Sequence, residues 1–316
     1  MSFDITIVLN IALSMFLVML VGYFLRKINM MDVAFSKKIS KIVLQVTQPV
    51  LIVTSMMKMK YSVENTKLLG KILLVSVLVH TLASVFGYVT MRFMKQEDQR
   101  KLSEHSIIFA NVLFFGLPIV EAMFGSDAAT WASFFSIIFH IFSWTYGLII
   151  LGRGRDDIKL NPRKIVFNFG SVPCMIGIVM YFLSLELPVG VMNAANYMAG
   201  LCTPISLLVL GGVLSTLPLK KLFTNWKVYY VCFMKLIVFP LIVFMISKYI
   251  LGLDLTMSMF MMVMAGLPTA SLTNMFAELY DIEPGYAATC VGMTTVFAVA
   301  TLPFIVWAAQ AITAIL

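Results

Sequence analysis

Apolar residues fall into ten long runs along this chain, and polar residues gather in the short breaks between them. The runs are Ile5–Leu25, Ala34–Met57, Leu69–Met94, Ile107–Phe124, Ala128–Leu151, Ile165–Leu187, Val189–Leu214, Trp226–Leu251, Met257–Leu279 and Tyr286–Ile315. Most match or exceed the roughly 20 residues that a helix needs to cross a bilayer. The pattern predicts an all-α integral membrane protein with ten transmembrane helices, numbered here as spans 1 to 10. Charged breaks separate them: Arg26-Lys27 after span 1, Lys95–Glu104 after span 3 and Gly152–Lys164 after span 5. The first turns of span 2 carry Lys37, Lys38 and Lys41, an amphipathic start that suits the membrane surface.

One tripeptide occurs twice in the middle of an apolar run. Gly116-Leu117-Pro118 lies in span 4 and Gly266-Leu267-Pro268 in span 9. A proline inside a helix removes the hydrogen bond to the carbonyl four residues back, here those of Phe114 and Met264. Lipid cannot satisfy such a carbonyl, so interrupted backbone at this depth belongs against protein or a water-filled cavity. A second, looser pair sits in Thr47-Gln48-Pro49 of span 2 and Thr203-Pro204 of span 7. Pro49 and Pro118 are 69 residues apart, and Pro204 and Pro268 are 64 apart. The longest basic break therefore divides the chain into residues 1–151 and 165–316, joined by a loop at 152–164. Five spans per half force opposite orientations, which makes the repeat inverted. Paired interrupted spans in such halves point to the binding site of a secondary transporter working by alternating access.

Composition agrees with a membrane solvent. The chain is 60% hydrophobic and 12% charged, with a mean hydropathy of +0.95, against about 25% charged residues in soluble domains. A net charge of +8 could suggest nucleic acid, but the basic residues are partitioned by loop. Seventeen fall on one side: Arg26, Lys27, Lys37, Lys38, Lys41, Arg92, Lys95, Arg100, Lys101, Arg153, Arg155, Lys159, Arg163, Lys164, Lys220, Lys221 and Lys227. The other side has five, Lys58, Lys60, Lys67, Lys71 and Lys248, and Lys235 lies inside span 8. The positive-inside rule then places the basic side in the cytoplasm and both termini outside the cell (inner) membrane. Met1-Ser2-Phe3-Asp4 lacks the basic start of a cleavable signal. The four cysteines are scattered singly in apolar runs, so neither disulfide nor metal chemistry is indicated. No phosphate-binding loop, H-E-x-x-H or G-x-S-x-G motif occurs, and neither an ATP-driven pump nor an enzyme, nor any cofactor, has a motif to rest on.

The residues that could act lie around the two interruptions. A helix that restarts after a break offers unpaired N–H groups and a positive dipole end, which suits a carboxylate. On that ground Ile119-Val120 and Thr269-Ala270-Ser271 are candidates for anion contact. Asn111 and Asn274 flank the tripeptides, and they could either bind substrate or satisfy the freed carbonyls. Charges at membrane depth are costly and hence functional candidates. Glu121 and Glu278 belong here unless they reach the interface. Lys235 could attract an anion or bridge Glu278. His80 and His140 could couple protons or simply pack.

Asn111 through Pro118, the Gly266-Leu267-Pro268 segment followed by Asn274, and the polar run ending at Pro49 make the chain resemble the auxin efflux carrier family. That family includes plant auxin carriers and bacterial malate or malonate permeases, and the short middle loop is similar to the bacterial members. The resemblance implies a scaffold of spans 1, 2, 6 and 7, a mobile unit of spans 3–5 and 8–10, and a crossing of spans 4 and 9 at their broken centres. It implies a small organic anion as cargo, bound near Asn111, Gly116, Pro118, Ile119, Gly266, Pro268, Thr269, Ser271 and Asn274. A homodimer through the scaffold is left open. Leu113 and Phe114 stand where the family often has small residues. A sodium-coupled, bile-acid-like symporter is the nearest alternative.

Overall fold

The computed structural model describes residues 5–155, 158, 163, 167–216 and 225–315. Most of the 152–164 loop, the first residues of span 6, and Lys220 and Lys221 lie outside them. Among the described residues all regular structure is helical apart from one isolated antiparallel bridge, Ala110 to Thr269. The helices are α1 (Ile5–Lys27), α2 (Ala34–Met56), α3 (Val63–Met91), α4 (Glu97–Ile108), α5 (Val112–Phe124) and α6 (Ala128–Leu151). They continue with α7 (Ser171–Phe182), α8 (Val189–Thr216), α9 (Trp226–Ile250), α10 (Leu255–Gly266), α11 (Ser271–Leu279) and α12 (Pro284–Ile315). Seven of them, α1, α2, α3, α6, α8, α9 and α12, are long and apolar enough to cross a membrane. Three further apolar helices, α5, α7 and α10, are shorter.

Several boundaries differ from the sequence expectation, each for a local reason. α3 starts at Val63 rather than Leu69, because the Ser62 hydroxyl accepts a hydrogen bond from Asn65 N–H at 2.9 Å and caps the helix. α7 has only twelve residues: Asn168 Oδ1 accepts from the N–H groups of Gly170 and Ser171, both at 2.9 Å, and folds the approach into a turn. Span 4 begins earlier than expected, as α4, with Glu97 and Asp98 in its first turn where the helix dipole favours acids.

The prolines act in different ways, and Pro204 and Pro303 stay inside continuous α8 and α12. Pro268 does interrupt its span: the backbone is extended at Leu267 (ψ 152°) and again at Ala270 (ψ 139°), between α10 and α11. Pro118 does not, which corrects the expected break at Gly116-Leu117-Pro118. The chain there is helical from Val112 to Phe124, and the break lies upstream at Phe109–Asn111. Ahead of Pro118 the helix widens into a π turn, Val112–Gly116, in which Gly116 N–H reaches back five residues to Asn111 O at 3.0 Å. The same device precedes two other prolines. A π turn at Val43–Thr47 with a Gln48 N–H to Val43 O bond leads into Pro49, and one at Met234–Val238 with Phe239 N–H to Met234 O leads into Pro240. Proline has no N–H and its ring clashes with the carbonyl four residues back; shifting the pattern by one residue before it lets the helix continue.

Packing is tightest where α1 meets α8. A Cβ on Gly22 would fall 2.0 Å from the Leu208 carbonyl oxygen, and one on Gly211 would fall 1.9 Å from that of Met19, so the two backbones touch. Close approach through small residues is how apolar helices associate without a hydrophobic driving force. α2 packs on α7 and α8, α3 on α4 and α6, and α12 on α1, α9 and α11. Apolar side chains such as Leu17, Phe24, Leu74, Val89 and Tyr197 remain exposed on the outer faces, as lipid-facing positions require.

Candidate functional site

The two interruptions are joined to each other. Asn111 N–H donates to Pro268 O at 2.8 Å, and Ala270 N–H donates to Phe109 O at 2.8 Å. This pair of bonds makes the single antiparallel bridge and ties the gap between α4 and α5 to the gap between α10 and α11. Four helix ends therefore meet at one point, the C-termini of α4 and α10 and the N-termini of α5 and α11.

Side chains from neighbouring helices satisfy the backbone that the breaks expose. Thr269 is fully buried; its hydroxyl donates to Ser106 O at 3.1 Å, and its N–H donates to Thr294 Oγ1 of α12 at 3.1 Å. Lys235, 1% exposed, donates from Nζ to Ile107 O at 2.8 Å. Two terminal carbonyls of α4 are thus covered, one by a hydroxyl and one by an ammonium at the negative end of the helix dipole. Of the two roles open to Lys235, attraction of an anion or a bridge to Glu278, the bridge is not formed. Glu278 is exposed and accepts from Asn274 Nδ2 at 3.0 Å. It lies about two turns, roughly 10 Å, beyond the start of α11, whereas Lys235 sits level with the break.

The sequence-predicted site residues separate into two groups. Asn111, Gly116, Gly266, Pro268, Thr269, Ser271 and Asn274 come together around the crossing. Gly116 holds the approach: a Cβ there would lie 2.3 Å from Leu267 Cδ1. Asn111 is buried and starts α5, but its side chain does not cap that helix. Ser271, Asn274 and Glu278 occupy the more exposed face of α11, opposite buried Thr273, Phe276 and Ala277. Asn274 Oδ1 is buried without a hydrogen-bond partner among the described residues. Ile119 and Val120, by contrast, are fully buried inside α5, nearly two turns past its start. The first amides of that half-helix belong to Val112, Leu113 and Phe114. Pro118 lies beside Ile119 in the same continuous stretch.

Glu121 and the two histidine candidates lie elsewhere. Glu121 pairs with Lys58 near the end of α5. His80 Nδ1 is 2.8 Å from Ser76 O, and its ring packs against Phe135 and Phe142 with centroids 5.0 and 5.3 Å away. His140 is buried with its ring against Gly170. Neither is at the crossing.

Two residues at the crossing, His105 and Thr294, carried no sequence signal strong enough to single them out, and a third, Thr273, stood out only as one of the polar residues beside the second tripeptide. His105, fully buried, has Nδ1 2.9 Å from Thr273 Oγ1 and its ring 4.3 Å from that of Phe109, and so links α4 to α11. It stands beside the charged break after span 3 and reads there as a boundary residue. Thr273 and Thr294 are ordinary hydroxyls in apolar helices until the fold places them. Nearer the membrane edge, Glu104 is 1% exposed in its side chain and accepts from Arg153 Nη1 at 2.6 Å, with Arg100 Nε 3.8 Å away. Burial pushes the Glu104 carboxyl up, against the downward pull of Arg153 and then Arg100.

Comparison with known proteins places this geometry. An uncharacterized transporter of Methanocaldococcus jannaschii is 25% identical over 314 residues, covering 95% of this chain and 98% of that protein. An uncharacterized transporter of Methanothermobacter thermautotrophicus is 23% identical over 297 residues, 92% of this chain and 95% of its own. A provisionally named malonate transporter of Rhizobium meliloti is 25% identical over 140 residues, 44% of this chain and 43% of its own. The family described as membrane transport protein matches residues 7–166 and 158–306. With several apolar helices of spanning length and a family match over nearly its whole extent, the chain belongs to that family of multi-pass membrane transporters, which includes the auxin-efflux-carrier type.

Proposed function

We propose that the chain is a secondary transporter that carries a small organic anion, a mono- or dicarboxylate, by alternating access. The observation that carries the reading is the meeting of two half-helix N-termini, at Val112 and Ser271, at one bridged double break. Helix starts leave N–H groups without intrahelical acceptors and bear partial positive charge, and Asn111, Ser271 and Asn274 stand at or within a turn of these two starts. The name of the Rhizobium relative lends weight to a dicarboxylate.

The architecture in this proposal has ten crossings in two inverted halves, residues 1–151 and 165–316, with α4–α5 and α10–α11 each counted as one broken crossing. Its support is the partitioning of contacts. Lys58, from the break after span 2, pairs with Glu121 near the break after span 4. Gln96 and Gln99, by the break after span 3, donate to Glu283, by the break after span 9. Lys227, after span 7, donates to Gln99, and Arg153, after span 5, donates to Glu104. Even-numbered breaks meet even ones and odd meet odd, as crossings of alternating direction require. The side holding Arg153 and Lys227 is the basic one, and so cytoplasmic, with both termini outside. The packing of α1, α2, α7 and α8 supports a scaffold of spans 1, 2, 6 and 7, against which the remaining spans move.

The test is counterflow in proteoliposomes loaded with unlabelled malonate or malate and given the labelled acid outside, with and without a sodium gradient. Uptake that is competed by carboxylates and not by their amides or esters is the expected result. Equal competition by neutral analogues would overturn the anion reading, and strict sodium dependence would favour the symporter alternative.

A further inference from the structure

Lys235 is a buried cation whose partner is no carboxylate. Among the described residues no acid lies within salt-bridge distance of it, and its Nζ donates instead to the Ile107 carbonyl at the last turn of α4. The π turn that carries it, Met234–Val238, packs against both α4 and α10, the two helices that end at the crossing. Further along α9, Pro240 Cβ lies 3.2 Å from where a Cβ on Gly266 would stand, at the last residue of α10. Each helix C-terminus carries about half a negative charge. Two such ends converging in a water-poor core are an unfavourable arrangement unless something positive lies between or beside them, and an isolated buried ammonium is equally unfavourable unless something negative faces it. Each solves the other's problem.

We propose that the Lys235 ammonium is the crossing's own fixed monovalent cation, a positioning residue that holds the end of α4 at the break so that no cation from solution is needed to assemble it. The inference deepens the transporter reading but does not depend on the identity of the cargo. A substrate carboxylate entering between the starts of α5 and α11 meets a site whose opposite helix ends are already neutralised. The π turn has a part in this. By shifting the helix phase by one residue ahead of Pro240, it sets the position from which the lysine stem reaches Ile107 O.

The test uses thermal unfolding of the full-length protein purified in detergent, in chloride salts of sodium, potassium, ethylammonium or choline at equal ionic strength. Wild-type protein is expected to unfold at the same temperature in all four. Lys235→Ala, which leaves a cavity where the stem and charge were, is expected to unfold several degrees lower in choline and to recover part of the loss in ethylammonium, the ion that fits. Lys235→Gln, a neutral donor of shorter reach, should not recover the loss. Three results would overturn the proposal: a wild-type unfolding temperature that rises with sodium or potassium over choline, an Ala variant indifferent to the choice of cation, or a Gln variant as stable as wild type. If neither variant can be purified folded, the wild-type comparison still decides. Failure of carboxylate counterflow with intact cation behaviour would count against the cargo reading and leave this one standing.

Discussion

The contact between Gly116 and Leu267 links the two repeats through side-chain volume alone, and a substitution series can weigh it. A methyl group added at Gly116 would lie 2.3 Å from Leu267 Cδ1, against 3.4 Å for an ordinary contact, so about 1.1 Å of movement is required. Leu267 has no free space to take it: the side chain is fully buried, and the next residue's carbonyl is held by Asn111 N–H. Overpacking of this kind costs roughly 1–3 kcal/mol. Leu267→Ala alone should cost roughly 2–5 kcal/mol for lost burial and the cavity left behind. In the double variant Gly116→Ala with Leu267→Ala, the new methyl enters the space the leucine vacated, so the combined loss should be smaller than the sum by about 1–2 kcal/mol. Gly70→Ala is the control, since nothing lies within 4 Å of its added methyl and the site is inside α3. It should be neutral or stabilising by up to about 1 kcal/mol. Equilibrium unfolding of the purified proteins by SDS titration in mixed micelles measures all four. Additive losses at Gly116 and Leu267, or a Gly116→Ala variant as stable as the Gly70 control, would refute the close approach of the two broken spans.

Three further outcomes are expected. Single cysteines at exposed Lys67 and Asp254 should react with an impermeant reagent from outside while one at exposed Lys95 should not, the four native cysteines being buried; reversed labelling would invert the orientation. Asn111→Ala and Asn274→Ala should each weaken carboxylate binding about ten- to a hundredfold by calorimetry on folded protein, the loss of one hydrogen bond to a charged group, and unchanged affinity in both would make these residues purely structural. Arg153→Met leaves the buried Glu104 carboxylate with only Arg100, 3.8 Å away, and should destabilise by no more than the low end of roughly 3–5 kcal/mol, since the Arg153 side chain is 27% exposed. Removing that guanidinium lets burial raise the carboxyl further, so the folded state favours the protonated acid. Stability is then fullest below the ordinary carboxylate range and falls as pH rises through the raised value, and unfolding of this variant should show a deficit that shrinks from about pH 8 to about pH 5; a pH-independent deficit would contradict the assignment.

Much of this structure was legible from periodicity and charge. Apolar runs located every long helix, because a segment facing lipid must be apolar for about 20 residues and no soluble constraint imitates that. The second tripeptide was legible too: Pro268 terminates α10 where its missing N–H requires, and Thr269, Ser271 and Asn274 gather beyond it.

The first tripeptide was misread for a reason the fold makes plain. Proline in a helix presents one steric problem met in more than one way, and sequence does not distinguish them; Pro204 and Pro303 even stay inside continuous α8 and α12. At Pro268 the chain breaks; at Pro118, as at Pro49 and Pro240, it widens by one residue beforehand and continues. What decides is the surroundings. Around Pro268 the extended backbone finds Asn111 N–H, Phe109 O and the Thr294 hydroxyl waiting for it. Around Pro118 the helix's own Phe115, Leu117 and Ile119 are buried, and the chain stays helical. The break in that span forms instead at Phe109–Asn111, the stretch that Pro268 and Ala270 can pair with, and Lys235 and Thr269 cover the carbonyls it leaves. Each interruption thus exists because the other supplies its hydrogen bonds, a dependence between residues about 160 positions apart that a local reading of either segment does not contain.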